Sequence, residues 1–307
     1  MQTRIILLVG CIFLVLVSCK NKAALDGSGV PEKLIIAVTT AGDNTGRIQN
    51  AFVPLKQYLE KKLGLKVEVL FSNDYTSVIE AIRAKKVHMA YLQPFSYVLA
   101  AQKQDIRPIL VIGEDGKPSM YHCVIFTNPA SGLKDIDDLK ARARDITLCF
   151  ADPASTSGHL IPRAYLTTIG LNPDQAFKQV VFAGNHQSAV LAVASRKVDV
   201  GCSALEYGIS LMIRNKLVKP EQIRMLWQSD PIVSSPIVVR NDLNRQFVNK
   251  ISQAYLDMRK DAPDVLMVFL KLYRLNPENL SFMPADDSMY NGIRKIASGI
   301  PDLAAVK

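Results

Sequence analysis

The 307-residue chain has few of the residues from which metal clusters and nucleic-acid platforms are built. It contains four scattered histidines and one tryptophan, and neither a Cys-x-x-Cys motif nor a His-rich spacing occurs in it. Charged residues make up 21% of the chain and form no long block of one sign, so no basic arm is present. We therefore expect no metal site and no cofactor. The 49% hydrophobic content excludes a disordered tail and a polytopic membrane protein.

Acidic residues are fewer than basic ones: the chain has 28 Asp and Glu and 37 Lys and Arg, which gives a net charge of +9. A basic balance of this size favours one of three partners: nucleic acid, a membrane surface or an anionic ligand. The N-terminal sequence indicates which of these three kinds of partner the protein meets.

Residues 1–18 have the order of a secretory signal. Arg4 precedes an apolar run over residues 5–17, and Ser18 stands before Cys19. This run is too short to span a bilayer comfortably. Its end, Leu-Val-Ser-Cys, resembles the bacterial lipobox, so we predict that Cys19 is lipidated and becomes the new N-terminus; the alternative is an ordinary membrane anchor. Cleavage removes Arg4 and leaves +8, and an exported protein does not meet the genome, so an anionic ligand is the favoured partner.

Three cysteines remain after such processing, Cys123, Cys149 and Cys202. Each lies in an apolar, strand-like run. Three buried thiols and one bridge with one free thiol are both compatible with this pattern.

From Pro31 onwards, predicted strands alternate with predicted helices, which is typical of an α/β protein with mostly parallel sheets. Two such sets occur, one before Cys123 and one after it. The pattern predicts a cleaved signal (1–18), a lipidated cysteine with a flexible tether (19–30), a first lobe (31–122 plus 230–307) and a second lobe (123–229). The chain then crosses twice between the lobes, near Tyr121 and near Pro231, which suits a hinge.

The two sets contain a repeated segment. Residues 75–90 align without a gap on residues 186–201, with four identities and matching apolar spacing: Ser77/Ser188, Ala81/Ala192, Lys86/Lys197 and Val87/Val198. Two lobes of like construction form a cleft between them, and ligands of such folds bind beyond the carboxyl ends of the strands.

The strongest local candidate for a binding site is Ser155-Thr156-Ser157-Gly158. Three hydroxyls and the free amides of a helix start converge there, as in sites that hold tetrahedral oxyanions. Plain helix N-capping is the alternative interpretation. The internal repeat adds Tyr75 and His186, because it places them at equivalent helix starts, one on each lobe, where each can donate a hydrogen bond to an oxyanion.

Several segments together resemble the phosphonate-binding (PhnD-like) periplasmic components of ABC importers. The resemblance extends from about Leu34 to Pro236 and is carried by Asn-Asp-Tyr75, Tyr91-Leu-Gln-Pro-Phe-Ser-Tyr97, Tyr121-His122, Asp152-Pro-Ala-Ser-Thr-Ser-Gly158, Asn185-His186 and Lys197-Val-Asp-Val. It implies the two-lobed, type II periplasmic-binding-protein fold. It also implies that the residues that contact the ligand are Tyr75, Gln93, Tyr121, Ser155, Thr156, Ser157, His186 and Glu206.

One position departs from this family. Members that bind 2-aminoethylphosphonate use two carboxylates for the amine; Glu206 matches the first, but Ser235 stands where the second is expected, with Asp230 nearby. Recognition of an amine is therefore not expected. Glu206 either accepts a hydrogen bond from a protonated ligand oxygen or is a solvated helix-start residue.

The resemblance implies a monomeric binding protein that delivers phosphate, phosphite or an alkylphosphonate to an ABC permease, and the lipobox-like N-terminus predicts that it is lipid-anchored. Two alternatives stay open. One is a lipoprotein that reports to a membrane sensor. The other is a hydrolase with Ser157 as nucleophile and His159 or His186 as base, although the chain has neither a Gly-x-Ser-x-Gly nor a Ser-x-x-Lys motif. We do not expect the protein to be an enzyme.

Overall fold

The structure is a computed structural model that describes residues 23–40, 45–103, 105–273 and 277–300. The predicted signal peptide and Cys19 lie outside the described residues. Within the described part, no helix is both long and apolar enough to cross a bilayer.

Fourteen strands occur in the described part of the chain. Their bounds are β1 Lys33–Thr39, β2 Lys66–Ser72, β3 Met89–Tyr91, β4 Ile106–Glu114, β5 Lys117–Pro118, β6 Met120–Tyr121, β7 Cys123–Thr127, β8 Thr147–Phe150, β9 Gln179–Phe182, β10 Val200–Ala204, β11 Arg224–Gln228, β12 Ile232–Val233, β13 Ile237–Arg240 and β14 Leu280–Pro284.

Twelve α-helices accompany these strands in the same described ranges. Their bounds are α1 Thr45–Leu63, α2 Tyr75–Arg83, α3 Pro94–Ala100, α4 Ile136–Arg142, α5 Ile161–Thr168, α6 Pro173–Ala176, α7 His186–Ala194, α8 Ser210–Arg214, α9 Arg245–Leu256, α10 Met258–Asp261, α11 Pro263–Leu270 and α12 Asn291–Ser298. Two π-helical turns, Thr156–Leu160 and Leu205–Ile209, lead directly into α5 and α8.

The strands form two main sheets. The first has the order β14-β4-β13-β3-β1-β2, with β5 paired to β4, and the second has the order β11-β7-β10-β8-β9. All strands of the first sheet come from the predicted first lobe, and all strands of the second sheet from the predicted second lobe. The lobe boundaries themselves stay a prediction. A two-stranded ribbon of β6 and β12 joins the sheets, with Tyr121 opposite Ile232, so the outward and return crossings pair with each other.

The expectation of mostly parallel sheets needs a correction. Parallel ladders join β1 to β2 and β3, and β8 to β9 and β10, whereas β4, β13 and β14 pair antiparallel in the first sheet and β7 pairs antiparallel with β10 and β11 in the second. Part of the reason is connectivity: helical crossovers produce parallel neighbours, but β13 and β7 enter their sheets from the other lobe and are inserted between other strands, and a strand that enters in this way can run in either direction.

The expected tether over residues 19–30 is also corrected for its described part. Residues 23–30 lie against the first sheet's lobe instead of standing free. The amide of Ala23 donates to the Lys85 carbonyl at 2.8 Å, the Arg240 guanidinium donates to the Ala23 carbonyl at 3.0 Å, and the Asn244 amide donates to the Gly29 carbonyl at 2.9 Å. A segment with this many backbone partners is attached to the fold.

Candidate ligand-binding site

The internal repeat is present in the structure as two nearly identical helix units. Helices α2 and α7 each have nine residues. Asp74 caps α2 by accepting from the Ser77 amide at 2.6 Å, and Asn185 caps α7 by accepting from the Ser188 amide at 2.7 Å. In each unit the turn after the helix contains a residue with positive φ: Lys85 after α2, with φ of 58°, and Arg196 after α7, with φ of 60°.

The first residues of these helices, Tyr75 and His186, face one cavity between the two sheets. It has a volume of about 130 Å³. Of the eight predicted ligand contacts, four line it: Tyr75, Gln93, Ser157 and His186. The other lining residues are Val38, Thr39, Thr40, Ile48, Phe52, Tyr91, Leu92, Gln187, Ala204, Tyr207, Leu211, Ser235, Leu272 and Tyr273.

The Ser-Thr-Ser segment forms a tight cradle at the first π-helical turn. Ser155 is its N-cap, and the Ser155 hydroxyl accepts from the Gly158 amide at 3.0 Å. A Cβ at Gly158 would lie 2.4 Å from the Ala151 Cβ and 2.9 Å from the Ser155 Oγ. The capping interpretation and the cradle interpretation thus apply to different residues, since Ser155 caps the turn and Ser157 lines the cavity.

Helix α3, which packs with the first sheet, holds this cradle from the other side. The Phe95 amide donates to the Thr156 hydroxyl at 2.9 Å, and the Ser96 hydroxyl donates to the Ala154 carbonyl at 2.9 Å. All four residues are buried. The Thr156 hydroxyl can still donate one hydrogen bond, but it also links the two halves of the molecule.

His186 is a neutral donor in this arrangement. Its Nδ1 accepts from the Ala204 amide at 3.3 Å and lies 3.1 Å from the Ser203 hydroxyl. Its Nε2 therefore carries the proton and lies 3.5 Å from the Ser155 hydroxyl. Burial lowers the pKa of His186 to about 4, so the ring offers a hydrogen bond and no charge at neutral pH.

Two tyrosine hydroxyls lie beside the cradle. Burial raises the pKa of Tyr75, and the nearby Asp152 carboxylate adds to this rise while Ser155 opposes it. Burial also raises the pKa of Tyr121, against which the neighbouring hydroxyls of Thr156 and Ser157 act. The Tyr121 hydroxyl is fully buried and makes no hydrogen bond of normal geometry to the described residues. Both phenols are protonated donors at neutral pH.

Gln93 and Ser235 form the polar edge of the cavity at the first sheet. Gln93 is the N-cap residue of α3, and its Oε1 accepts from the Ser235 hydroxyl at 2.8 Å. The Ser235 side chain, at the position where the resemblance leads one to expect a carboxylate, is therefore bound to a neighbouring side chain.

Glu206 lies apart from the cavity. Its two oxygens are 2.9 Å from the backbone amide and from the Nδ1 of His122, at the crossing between the sheets. Ala204 and Tyr207 on either side of Glu206 line the cavity, but the Glu206 carboxylate is bound to His122, and its role toward a ligand stays a prediction.

Both ring nitrogens of His159 take part in a chain of structural hydrogen bonds. Its Nδ1 lies 2.7 Å from the Pro153 carbonyl, and its Nε2 accepts from Arg163 at 2.9 Å; Arg163 in turn forms two hydrogen bonds with Asp174. Burial lowers the pKa of His159 to about 4. Because both ring nitrogens are occupied in this way, His159 is not placed to act as a base for Ser157. This chain of hydrogen bonds holds the turn at Asp152 and Pro153, which precedes the cradle.

Sequence reasoning missed several lining residues. Among them Thr39 stands out, because its hydroxyl is buried and has no hydrogen-bond partner among the described residues. Its place at the carboxyl end of β1, where ligands of open α/β sheets bind, is the signal that points to it. The aromatic residues Tyr207 and Tyr273 carry no comparable signal.

None of the cavity-lining residues in the described ranges is Asp, Glu, Lys or Arg. No group of three or more potential metal ligands occurs in that part of the chain. The three cysteines are all buried free thiols, which decides between the two states left open by the sequence. The cavity thus offers neutral hydrogen-bond donors, π-helical and α-helical N-termini, and aromatic surface.

Comparison with known proteins gives a consistent assignment. The family described as "ABC transporter, phosphonate, periplasmic substrate-binding protein" matches residues 38–290. The "Phosphonates-binding periplasmic protein" of Escherichia coli is 31% identical over 210 residues, 68% of this chain and 61% of that protein's length. The "Phosphate-import protein PhnD" of Mycolicibacterium smegmatis is 27% identical over 301 residues, 93% of this chain and 92% of that protein.

Among solved structures, a binding protein component of an ABC phosphonate transporter from Pseudomonas aeruginosa superposes with a TM-score of 0.76 at 23% identity, covering 86% of this chain and 85% of that one. This likeness confirms the predicted two-lobed periplasmic-binding-protein fold.

Proposed function

The chain belongs to the phosphonate-binding family of periplasmic substrate-binding proteins of ABC transporters, and from this membership we propose that it is the solute-binding component of an importer for a small phosphorus oxyanion. The ligand is phosphate, phosphite or an alkylphosphonate, held between the two sheets. The binding protein works as a monomer and delivers its ligand to an ABC permease.

The observation that carries this proposal is the convergence of neutral donors from both sheets on one cavity. Tyr75 and Gln93 come from the first sheet's side, and Ser157 and His186 come from the second. A tetrahedral oxyanion has several acceptor oxygens, and donors that surround it from two sides can satisfy them together. A hydrogen bond to a charged group contributes about 1.5–3 kcal/mol, so four such donors hold an anion without a cationic side chain.

Helix starts supply the remaining favourable electrostatics. The cavity receives the N-terminal residue of α2 and that of α7, both helices of nine residues. Free amides and the positive ends of helix dipoles favour an anion at such positions. The same set of donors offers little to a cation.

The proposed identity of the ligand is supported by the names of the two relatives and by the serine at position 235. The E. coli relative is named for phosphonates and the M. smegmatis relative for phosphate. Ser235 brings no carboxylate to an amine, so we propose that phosphate, phosphite and small alkylphosphonates bind more tightly than 2-aminoethylphosphonate.

Calorimetric titration tests the oxyanion proposal. Phosphate, phosphite, methylphosphonate and 2-aminoethylphosphonate are titrated into the purified protein, with potassium chloride as the control salt. Saturable binding of one or more of the first three, with 2-aminoethylphosphonate weakest, is expected. Absence of binding of every phosphorus compound contradicts the proposal.

The site of action is the cell envelope, with the protein exported and anchored through a lipid on Cys19. The lipobox-like end of the apolar run supports this part of the proposal. Metabolic labelling with palmitate is the test: the wild-type chain takes up label, and the Cys19→Ala variant does not. Equal labelling of both chains contradicts the anchor and leaves the ligand proposal standing.

A further inference from the structure

The segment 23–30 is attached to one end of the first sheet, which we call the base. Strands β1, β2, β3 and β4 begin at this end, and β13 ends there. Ala23 is bonded to the backbone of Lys85 and to the Arg240 guanidinium at the base. The cavity lies at the other end of the sheet, because Val38 and Thr39 at the carboxyl end of β1 line it.

The base is close in the chain to the proposed lipid anchor. Cys19 precedes Ala23 by four residues, and extended chain spans at most about 3.6 Å per residue, so at most about 14 Å separates the lipidated residue from the base. Lys117 follows the far end of β4, a strand of nine residues, and therefore lies roughly 25 Å from the base. A tether this short holds the base, and not the cavity, beside the bilayer.

Two arginines at the base have no acidic partner. Arg107 stands at the start of β4 and donates to the neutral Oδ1 of Asn241 at 2.9 Å. Arg245 is the first residue of α9, whose first turn contains no acidic residue. Burial lowers the pKa of Arg107, and the nearby positive charge of Arg245 lowers it further. Among the described residues, neither arginine is paired with a carboxylate.

Both placements are unfavourable within the fold. Like charges repel each other, and a positive charge at a helix start meets the positive end of the helix dipole. Phosphate groups outside the fold would offset both costs, because guanidinium groups bind phosphate oxygens well. Exposed acidic residues also occur near the base, namely Asp26, Glu32 and Asp105, so the position of the anchor carries more of the argument than the charge does.

We infer that, while no permease is engaged, the base of the first sheet lies on the surface of an anionic membrane. The lipid holds the segment 23–30 at the bilayer, and Arg107 and Arg245 meet the head-group phosphates. The cavity is then held above the bilayer by about the length of β1, roughly 20 Å. This inference rests on the lipid anchor of the proposed function.

The orientation is measured with fluorophores on the lipidated protein in vesicles of phosphatidylglycerol and phosphatidylethanolamine. One lipid carries a spin-labelled head group, which quenches only nearby fluorophores. Lys86→Cys at the base and Lys117→Cys at the far end form a matched pair, because both lysines are exposed and each variant loses one charge. The wild-type chain gives the background, since Cys123, Cys149 and Cys202 are buried.

Strong quenching of the label at position 86 and little at position 117 is expected. Equal quenching at the two positions overturns the inference and leaves the anchor and the ligand proposal standing. A protein that takes up no lipid and does not stay on the vesicles overturns the inference and the anchor together, but not the ligand proposal.

Two glycines test whether the attached segment sets this orientation. Gly29 has a φ of 81°, and a Cβ there would lie 3.3 Å from the Asn244 amide nitrogen and the Asp242 carbonyl oxygen. Gly29→Ala is therefore expected to loosen the segment and to reduce quenching at position 86. Gly27→Ala is the control, because nothing lies within 4 Å of a Cβ there.

A second variant keeps the contacts of the segment and lengthens the tether instead. An insertion of about ten Gly and Ser residues between Lys22 and Ala23 adds about 17 Å of flexible chain. Both comparisons use neutral phosphatidylcholine vesicles, so that only the tether can hold the base at the surface. Unchanged quenching at position 86 in the Gly29→Ala variant and in the insertion variant overturns the inference.

The arginine pair is tested in the long-tether chain on anionic vesicles. Each charge lost at an anionic surface is expected to lower the ratio of surface-bound to free orientations about fivefold, so Arg107→Gln with Arg245→Gln lowers it about 30-fold. Arg142→Gln with Arg144→Gln is the matched control, because these two exposed arginines precede β8 in the second sheet. Equal quenching at position 86 in the two double variants overturns the choice of an anionic surface as the partner.

Discussion

The start of α2 and the start of α7 are built from the same parts but deliver different chemistry to one cavity. Each helix has a capped first turn, nine residues and an exit through a positive φ. The residue before the next strand has the same role in both units, since its side chain accepts a hydrogen bond from a backbone amide. His88, before β3, accepts through Nδ1 from the Ile35 amide at 3.0 Å, and Asp199, before β10, accepts through its carboxylate from the Thr147 amide at 2.8 Å. The residue at the helix start differs in the group that it presents to the cavity, a phenol in α2 and an imidazole in α7.

The difference extends to what surrounds each start. Two glycines pack closely near His186: a Cβ at Gly158 would lie 2.4 Å from the Ala151 Cβ, and a Cβ at Gly208 would lie 2.1 Å from the Ser203 Oγ. None of the described glycines has Tyr75 among the atoms nearest to its added Cβ, and the first sheet's side of the cavity carries Ile48, Phe52, Tyr91, Leu272 and Tyr273. A duplicated unit can thus present different donors to one cavity, because the residue at the helix start and the packing around it differ between the two copies.

The largest effect is expected from Gly158→Ala. The added Cβ would approach the Ala151 Cβ to 2.4 Å, and overpacking of this kind costs about 1–3 kcal/mol of unfolding free energy. We expect a lower melting temperature and a loss of oxyanion binding, because the cradle must open to relieve the contact. Gly292→Ala is the control, since nothing lies within 4 Å of a Cβ there. Equal melting temperatures of the two variants would show that the cradle is not tightly packed.

The next effect concerns the hydroxyls that the two regions bring to the cavity. Ser157→Ala and Tyr75→Phe each remove one donor, and each is expected to weaken oxyanion binding about 10- to 100-fold, since a hydrogen bond to a charged group contributes about 1.5–3 kcal/mol. Melting temperatures should change little. Ser298→Ala, an exposed hydroxyl on α12, serves as the control. Thr156→Ala should also lower stability, because it leaves the buried Phe95 amide without its partner. Undiminished affinity in Ser157→Ala would contradict the cradle.

A smaller effect separates the imidazole from the phenol through pH. The pKa of His186 is about 4 in the folded chain against an ordinary 6.5. Between these values the unfolded chain binds a proton that the folded chain does not, so stability falls as pH is lowered from about 6.5 to about 4. Each such histidine contributes about 1.4 kcal/mol per pH unit. His186→Gln should reduce the slope of unfolding free energy against pH by this amount, and Tyr75→Phe should not. An identical slope in His186→Gln and the wild type would show that His186 is not held neutral.

The smallest effect tests the equivalence of the two helix units. Asp74→Ala and Asn185→Ala each remove a cap that bonds one amide, and a lost cap costs about 1 kcal/mol. Denaturant unfolding should give similar losses for the two. A loss in one variant alone would show that the units are equal in geometry but not in energy.

Much of this arrangement could be predicted from the chain. The α/β class follows from alternating apolar periodicities, and the helix starts at Tyr75 and His186 follow from the repeat. The antiparallel strands were missed because the polarity of a strand that re-enters a sheet depends on the path of the whole chain, which no local pattern records.

The candidate site could also be predicted only in part, because some of its contacts join segments that are far apart in the chain. Ser157 and Tyr75 stand at helix starts, where local sequence fixes the geometry, and both line the cavity. Glu206 also stands at a helical start, yet its carboxylate is bound to His122, a residue 84 positions away in the chain. Whether a polar side chain faces a ligand or a neighbour is set by contacts between distant segments.

By itself, the sequence determined the two helix units and their caps, because hydrogen bonds between residues that are close in the chain create them. Only the tertiary structure decided that His186 is neutral, that the Nε2 of His159 is occupied by Arg163, and that the rings of residues 52, 91, 207 and 273 line one cavity. Burial and ring contacts arise when segments far apart in the chain pack together, and packing of this kind leaves no periodic mark in any one of them.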